Sequence, residues 1–257
     1  MRILLTSVVL ISVVAILLVF GKPMPVTTEH PSSSTPTISP SLPPPNQSID
    51  IPVGGRTYRV AWLSVPDPST ISLIPNFTQK RTARSLIDNN DCSKVINGGF
   101  YTKDNQPTGL FVAGGKTLRD NIPNTLLNGF FVVDNDNRAA IDDIKPEGPL
   151  RIGLQTGPVL IRDGKIVKLA IRDDEFARRV VVGTSQKGAV IFLTIYDPEN
   201  SWNGPKLADT PGVLSGIMER LQLTDTLNLD GGSASVFTRG DLSLQELTSV
   251  GSFFCIK

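Results

Sequence analysis

The sequence predicts an α+β fold: a mixed, mostly antiparallel β-sheet core with few helices, a single domain behind an N-terminal hydrophobic helix and a disordered linker. Three observations carry this expectation. Short segments of alternating apolar and polar residues recur from residue 50 onward, set apart by Gly, Pro, Asn and Asp turn signals. Only one segment combines a clear helical stripe with a start signal, near residue 211. A strand, helix and strand in succession near the end of the chain argue for some mixing of strand directions among the hairpins.

Taken in order, residues 3–20 are an apolar run broken only by hydroxyl residues such as Thr6 and Ser12, with Arg2 before it and Lys22 after it. As a helix it spans about 27 Å, close to the hydrocarbon thickness of a bilayer. Residues 1–21 therefore read as a signal peptide or a membrane anchor, and both place the rest of the chain outside the cytoplasm. Residues 22–49 are rich in Pro, Ser and Thr and carry little apolar surface to offset ordering entropy, which predicts a semi-extended linker. The domain is expected over residues 50–257. Strands are predicted at 56–65, 69–73, 94–97 and 128–134, with a short helix at 82–89. A hairpin is predicted from 155–162 and 165–169 around Asp163-Gly164, a type I′ turn signal. A second pair follows at 180–183 and 189–196. The main helix starts with Thr210 as N-cap and Pro211 at its first position, and Val213, Leu214, Ile217, Met218 and Leu221 form its buried stripe. A strand at 226–230 follows it. Cys92 and Cys255 either pair, as cysteines do outside the cell, or stay apart as buried apolar side chains.

Composition excludes several kinds of chemistry. With 25 Lys+Arg against 24 Asp+Glu, there is no electrostatic reason to expect nucleic acid as a partner, and 6% aromatics provide few stacking platforms. His30, the one histidine, lies in the linker. Catalysis through a Ser-His-Asp or Cys-His arrangement and histidine-based zinc sites are thereby excluded from the domain. Its chemistry must run on oxygen groups, Lys, Arg and backbone amides.

Four segments offer such chemistry. Asn97-Gly98-Gly99-Phe100-Tyr101 sets an amide side chain and bare backbone at a strand end, where a ligand can approach. Gln155-Thr156-Gly157-Pro158 presents main-chain donors. Arg179 leads into a β-branched strand and offers a planar fork to a phosphate. The most specific is Leu227-Asn228-Leu229-Asp230-Gly231-Gly232-Ser233. Strand alternation puts Leu227 and Leu229 on one face and Asn228 with Asp230 on the other, so Asp230 stands at the lip of the strand. A carboxylate there serves as acid, base, nucleophile or cation ligand.

In this order, the four segments resemble the phosphodiester glycosidase family, whose pattern runs N-x-G-[FY]-[FY], Q-[ST]-G-P with a D/N-G hairpin, R-x-x-x-G, a helix, and N-L-D-G-G. The resemblance spans the chain from about residue 50 to its end. Ala234 stands where the family often has serine, four residues after the motif aspartate. The resemblance implies a hydrolase acting on a sugar linked through C1 to a phosphodiester. It implies Asp230 and Arg179 as catalytic residues, Asp230 acting at the anomeric carbon or its water and Arg179 neutralising the phosphoryl oxygens. It further implies substrate-binding roles for Asn97, Gly98, Gln155, Thr156, Gly157, Asn228, Gly231, Gly232 and Ser233. The amides of Gly231 and Gly232 are expected to assist Arg179. Glycosidases ordinarily use two carboxylates; Asp104 and Glu175 are the candidates for the second.

A divalent cation on Asp230 and backbone oxygens is a further expectation, Ca²⁺ or Mg²⁺ suiting an oxygen-only ligand set. The expected partners are a glycan or sugar-phosphodiester and, through the N-terminal segment, a membrane. Two other readings stand beside this one: a carbohydrate-binding module of the same fold without turnover, and a metal-dependent phosphodiesterase that cleaves P–O.

Overall fold

Residues 46–89 and 91–257 are described by the computed structural model, so the signal or anchor segment and most of the linker lie outside the described residues. The chain forms β1 (Gln47–Val53), β2 (Arg56–Val65), β3 (Ile71–Pro75), α1 (Ala83–Asp88) and β4 (Lys94–Asn97). Next come β5 (Phe111–Ala113), β6 (Lys116–Arg119), β7 (Gly129–Asp134), β8 (Ala139–Asp142) and β9 (Leu150–Thr156). They are followed by β10 (Val159–Arg162), β11 (Lys165–Ile166), β12 (Arg179–Ser185) and β13 (Val190–Tyr196). The rest is α2 (Thr210–Ser215), α3 (Met218–Leu221), β14 (Leu223–Asn228), β15 (Phe237–Arg239), β16 (Leu242–Leu244) and β17 (Ser252–Ile256).

The strands form one seven-stranded sheet, in the order β1-β2-β13-β12-β14-β10-β11, and two five-stranded sheets, β16-β15-β4-β17-β3 and β6-β5-β9-β7-β8. All of these belong to one domain. Few helices and antiparallel sheets agree with expectation, but the mixing of directions does not appear. Each pairing among the described strands is antiparallel. The helical crossover from β13 does produce a strand running parallel to it, but β12 lies between β13 and β14.

Burial explains the sequence pattern. β13 is apolar and buried at nearly every position because both faces of the large sheet are covered. Val190 and Phe192 face a core shared with the two smaller sheets, while Ile191, Leu193 and Ile195 face Val213, Leu214, Ile217 and Leu221 on the helical side. In the shared core the Phe254 ring sits 5.5 Å from Phe131 and 5.0 Å from Phe192. Cys92 and Cys255 are joined by a disulfide that ties the approach to β4 onto β17.

Other expectations are corrected. The predicted strand 155–162 is two strands of different sheets, β9 and β10, divided at Gly157-Pro158 where the peptide is cis. The main helix breaks into α2 and α3 around Gly216, and its N-cap is Asp209. Thr210 lies inside it, its hydroxyl spent on the Lys206 carbonyl. Residues 69–73 begin as a 3-10 turn before β3. β1 begins at Gln47, three residues ahead of the expected domain start. Among the described residues no helix is long and apolar enough to cross a membrane.

Candidate active site

β14 delivers the central carboxylate. Leu227 and Leu229 enter the shared core, and the chain leaves the sheet at Asp230. Two neighbours fix the Asp230 backbone: its N–H donates to the Gly98 carbonyl (3.1 Å), and its carbonyl accepts from Asn97 Nδ2 (2.8 Å). Asn97 Oδ1 takes the Val236 N–H, so the end of β4 is stitched to both sides of the 230–236 turn. A side chain at Gly98 would place its Cβ 2.2 Å from Ser252 Oγ, so only glycine allows this approach. Beyond Asp230 the chain folds back in a 3-10 turn, with Gly232 at φ +60°.

Asp230 lines a crevice of about 290 Å³ with Phe100, Asp174, Arg179, Asn228 and Gly231. Its Oδ1 accepts the Gly231 N–H at 2.8 Å. Desolvation pushes its pKa from 3.8 up to about 7, and the Gly231 hydrogen bond opposes this only in part. Asp230 has no ion pair among the described residues. Tyr101 feels its charge: burial and Asp230 together raise the phenol pKa, and the hydroxyl donates to the Ser249 carbonyl.

Arg179 faces the same crevice and is held on one side only. Nε donates to the Pro205 carbonyl at 3.0 Å, and Nη2 to Asp174 Oδ1 at 3.3 Å and to the Glu175 carbonyl. Its Nη1 has no protein partner among the described residues and lies near Gly231, 3.9 Å from where a Cβ there would be. Burial lowers the guanidinium pKa, and Asp174 then Glu175 counter it. Asp174 is itself fully engaged: the Leu207 and Ala208 amides donate to its two oxygens at 2.8 and 2.7 Å. The neighbouring Arg178 turns the other way. It is buried against Trp202, with Nε on Ser235 Oγ and Nη2 on the Ser235 and Gln245 carbonyls. Desolvation pulls its pKa down to about 10.

Thus Asp230, Arg179, Asn228, Gly231 and Gly232 come together at the crevice. Thr156 and Gly157 lie behind it and grip Asn228, Thr156 Oγ1 donating to its carbonyl and the Gly157 carbonyl accepting from Nδ2. Asn97 and Gly98 support the Asp230 backbone, and Asn97 is fully buried with both amide atoms spent. Gln155 stands apart. Its Oε1 accepts the Leu110 and Ile122 amides and its Nε2 donates to the Ile122 and Leu127 carbonyls, holding a loop beside a separate cavity. Ser233 is exposed, its hydroxyl against Thr248 Oγ1.

The amides expected to help Arg179 have acceptors of their own, because the 3-10 turn folds them inward: Gly231 N–H is on Asp230, and Gly232 N–H on the Arg178 carbonyl. Of the two candidate second carboxylates, Glu175 borders the crevice and Asp104 is exposed elsewhere. The sequence reading missed Asp174, whose only signal is an acidic run, 173–175, ahead of two arginines. Among the described residues no three His, Cys, Asp or Glu side chains converge as metal ligands. Asp230 keeps one carboxylate oxygen without a partner among the described residues, and Asp174 and Glu175 border the same crevice.

A desolvated carboxylate and a partly free guanidinium in one crevice form the kind of site that hydrolases use on charged substrates. The chain belongs to the phosphodiester glycosidase family, whose model matches residues 90–252. Among solved structures it is similar to the auto-inhibited catalytic domain of zebrafish N-acetylglucosamine-1-phosphodiester alpha-N-acetylglucosaminidase, at 17% identity and a TM-score of 0.63, covering 82% of this chain and 81% of that one. It is also similar to a hypothetical protein from Synechocystis, at 14% identity and a TM-score of 0.55, over 82% of this chain and 61% of that one. At such identities the likeness is one of fold. No curated protein matches the chain in sequence.

Proposed function

We propose that this protein is an exported hydrolase that cleaves the C1–O bond of a sugar-1-phosphodiester in an envelope or extracellular glycan. The observation that carries the reading is the shared crevice of Asp230 and Arg179, within the strand-end motifs of the family. Arg179 Nη1 binds a phosphoryl oxygen, and Asp230 is the base for the attacking water. A phosphomonoester leaves readily, its second pKa near 6, so the leaving oxygen needs charge neutralisation more than a proton. This explains why one free carboxylate suffices: Asp174 is committed to Arg179 and to two backbone amides. A base with a pKa of about 7 is half ionised at neutral pH and still basic enough to take a proton. Activity therefore rises with pH through about 7.

Residues 1–21 anchor the protein, or are removed as a signal peptide, and the residues from 22 up to β1 at Gln47 serve as the tether. The Cys92–Cys255 disulfide suits an oxidising compartment. A panel of sugar-1-phosphodiesters, including an α-N-acetylglucosamine member suggested by the zebrafish relative's name, tests the function. Free sugar and a phosphomonoester are expected from at least one member. Saturable binding without product across the panel would instead select the carbohydrate-binding reading.

A further inference from the structure

Gln155 closes one wall of a second cavity, of about 340 Å³, whose lining suits a sugar. Asn121, Asn124 and Asn128 stand around an apolar floor of Ile122, Leu127 and Phe130. The fold orients two of these amides. Asn124 Oδ1 accepts the Leu126 and Leu127 N–H groups, each at 2.8 Å, and Asn128 Oδ1 accepts the Val159 N–H at 2.9 Å. A backbone N–H only donates, so the oxygen is the occupied end and Nδ2 is left to donate to a ligand. All three asparagines are exposed, and the Asn121 side chain has no protein partner among the described residues. Gln155, by contrast, spends both amide atoms on the backbone around it. Lys145 and Asp143 are the charged residues of the lining, and their charges cancel. Amide donors over an apolar floor fit a neutral ring with hydroxyls at its edge and C–H groups on its face; a phosphate would need cations that this lining lacks.

The cavity adjoins the crevice along a ridge formed by residues 122–128. Leu126 lines the crevice, while the next two residues, Leu127 and Asn128, line the cavity. The ridge is fixed in place by Gln155 and Asn124. It packs so closely on the segment behind the crevice that a Cβ at Gly157 would fall 2.4 Å from the Leu126 carbonyl. Sheet order then separates the two ends of the site. β12, which begins at Arg179, flanks β14 on one side, and β10, entered through Gly157-Pro158, flanks it on the other. Arg179 and the ridge thus approach the end of β14 from opposite sides. Resting on the proposed function, we propose that the cavity binds a neutral sugar unit joined to the scissile sugar on the side away from the phosphate. The substrate is accordingly an oligosaccharyl-1-phosphodiester, and hydrolysis releases an oligosaccharide. Leu126, 42% exposed, is the surface over which the glycan crosses from crevice to cavity.

Steady-state kinetics test this with the sugar-1-(methyl phosphate) diester of the panel that the wild type turns over, and with the same compound extended by one glucosyl residue at O3, O4 or O6. At least one extended diester is expected to show a KM about 10-fold lower with kcat little changed, as added binding remote from the reacting bond requires. Asn121→Ala combined with Asn128→Asp removes two of the donors, while the new carboxylate still accepts the Val159 N–H. In this double variant the ratio of kcat/KM, extended over unextended, should fall back toward one. Equal or poorer use of all three extended diesters by the wild type overturns the inference while the function stands. So does a preference that the double variant keeps in full, because the added sugar would then bind outside the cavity. The wild-type comparison needs no variant, so a poorly folding double variant does not shield the inference. If no diester in the panel is hydrolysed, the function itself falls, and the inference with it.

Discussion

Replacing Asp230 with Asn should stabilise the protein at alkaline pH while abolishing turnover. In the folded state desolvation raises the Asp230 pKa from 3.8 to about 7. Between those values the folded chain holds a proton that the unfolded chain has released. The contribution is therefore most favourable below about pH 4 and is lost as pH rises through 7. A gap of about three pH units at 1.36 kcal/mol each makes the ionised carboxylate cost about 4 kcal/mol above pH 7, an upper value because water still reaches one oxygen. Asn keeps the shape and can still accept the Gly231 N–H through its oxygen, but carries no charge. Thermal denaturation of wild type and Asp230→Asn at pH 4 and pH 8 measures the difference. At pH 4 the two should melt together; at pH 8 the variant should melt higher, by up to about 10 °C for a domain of this size. A Tm difference that does not change between these pH values would refute the reasoning, because the carboxylate would then not be desolvated by the fold.

Arg179→Lys keeps a positive charge but loses the fork that grips Asp174 and Pro205 while leaving Nη1 free. Steady-state kinetics should show kcat down roughly 100- to 1000-fold. Gln155→Ala should act on stability: it strips the buried Leu110 amide and the part-buried Ile122 amide of their acceptor at Oε1, with an expected loss of about 1–3 kcal/mol in urea denaturation. KM of the folded variant should stay near wild type, and a large rise in KM would return Gln155 to the substrate site. Cys92→Ser with Cys255→Ser opens a bridge with a sequence separation of 163 residues. The chain-entropy model gives a loss of about 5 kcal/mol, measurable as a lower denaturation midpoint.

The sequence made local geometry legible wherever a few adjacent residues set it. Leu227 and Leu229 alternate into the core as strand period requires, which leaves Asp230 at the lip. Asp163 and Gly164 both adopt positive φ, as an Asp-Gly hairpin demands. Thr82 caps α1 through its side chain. What escaped detection depends on partners distant in the chain. The 155–162 run reads as one strand, because nothing local shows that β9 and β10 pair in different sheets. Asn97 and Gln155 look like ligand-binding amides, but their partners are backbone groups brought in from Asp230, Val236, Ile122 and Leu127. Asp174 acquires its role only from amides 33 and 34 residues further on, at Leu207 and Ala208. A helical stripe cannot show that Gly216 packs against Ile51 of β1, where the helix breaks.

Which bond is cut decides whether Asp230 and Arg179 act as proposed. Hydrolysis in ¹⁸O-water, with mass spectrometry of both products, reads this directly. The heavy oxygen is expected in the released sugar and not in the phosphomonoester, with no labelled product from Asp230→Asn. Label in the phosphate would mean attack at phosphorus, and would contradict the assignment of Asp230 to chemistry at C1.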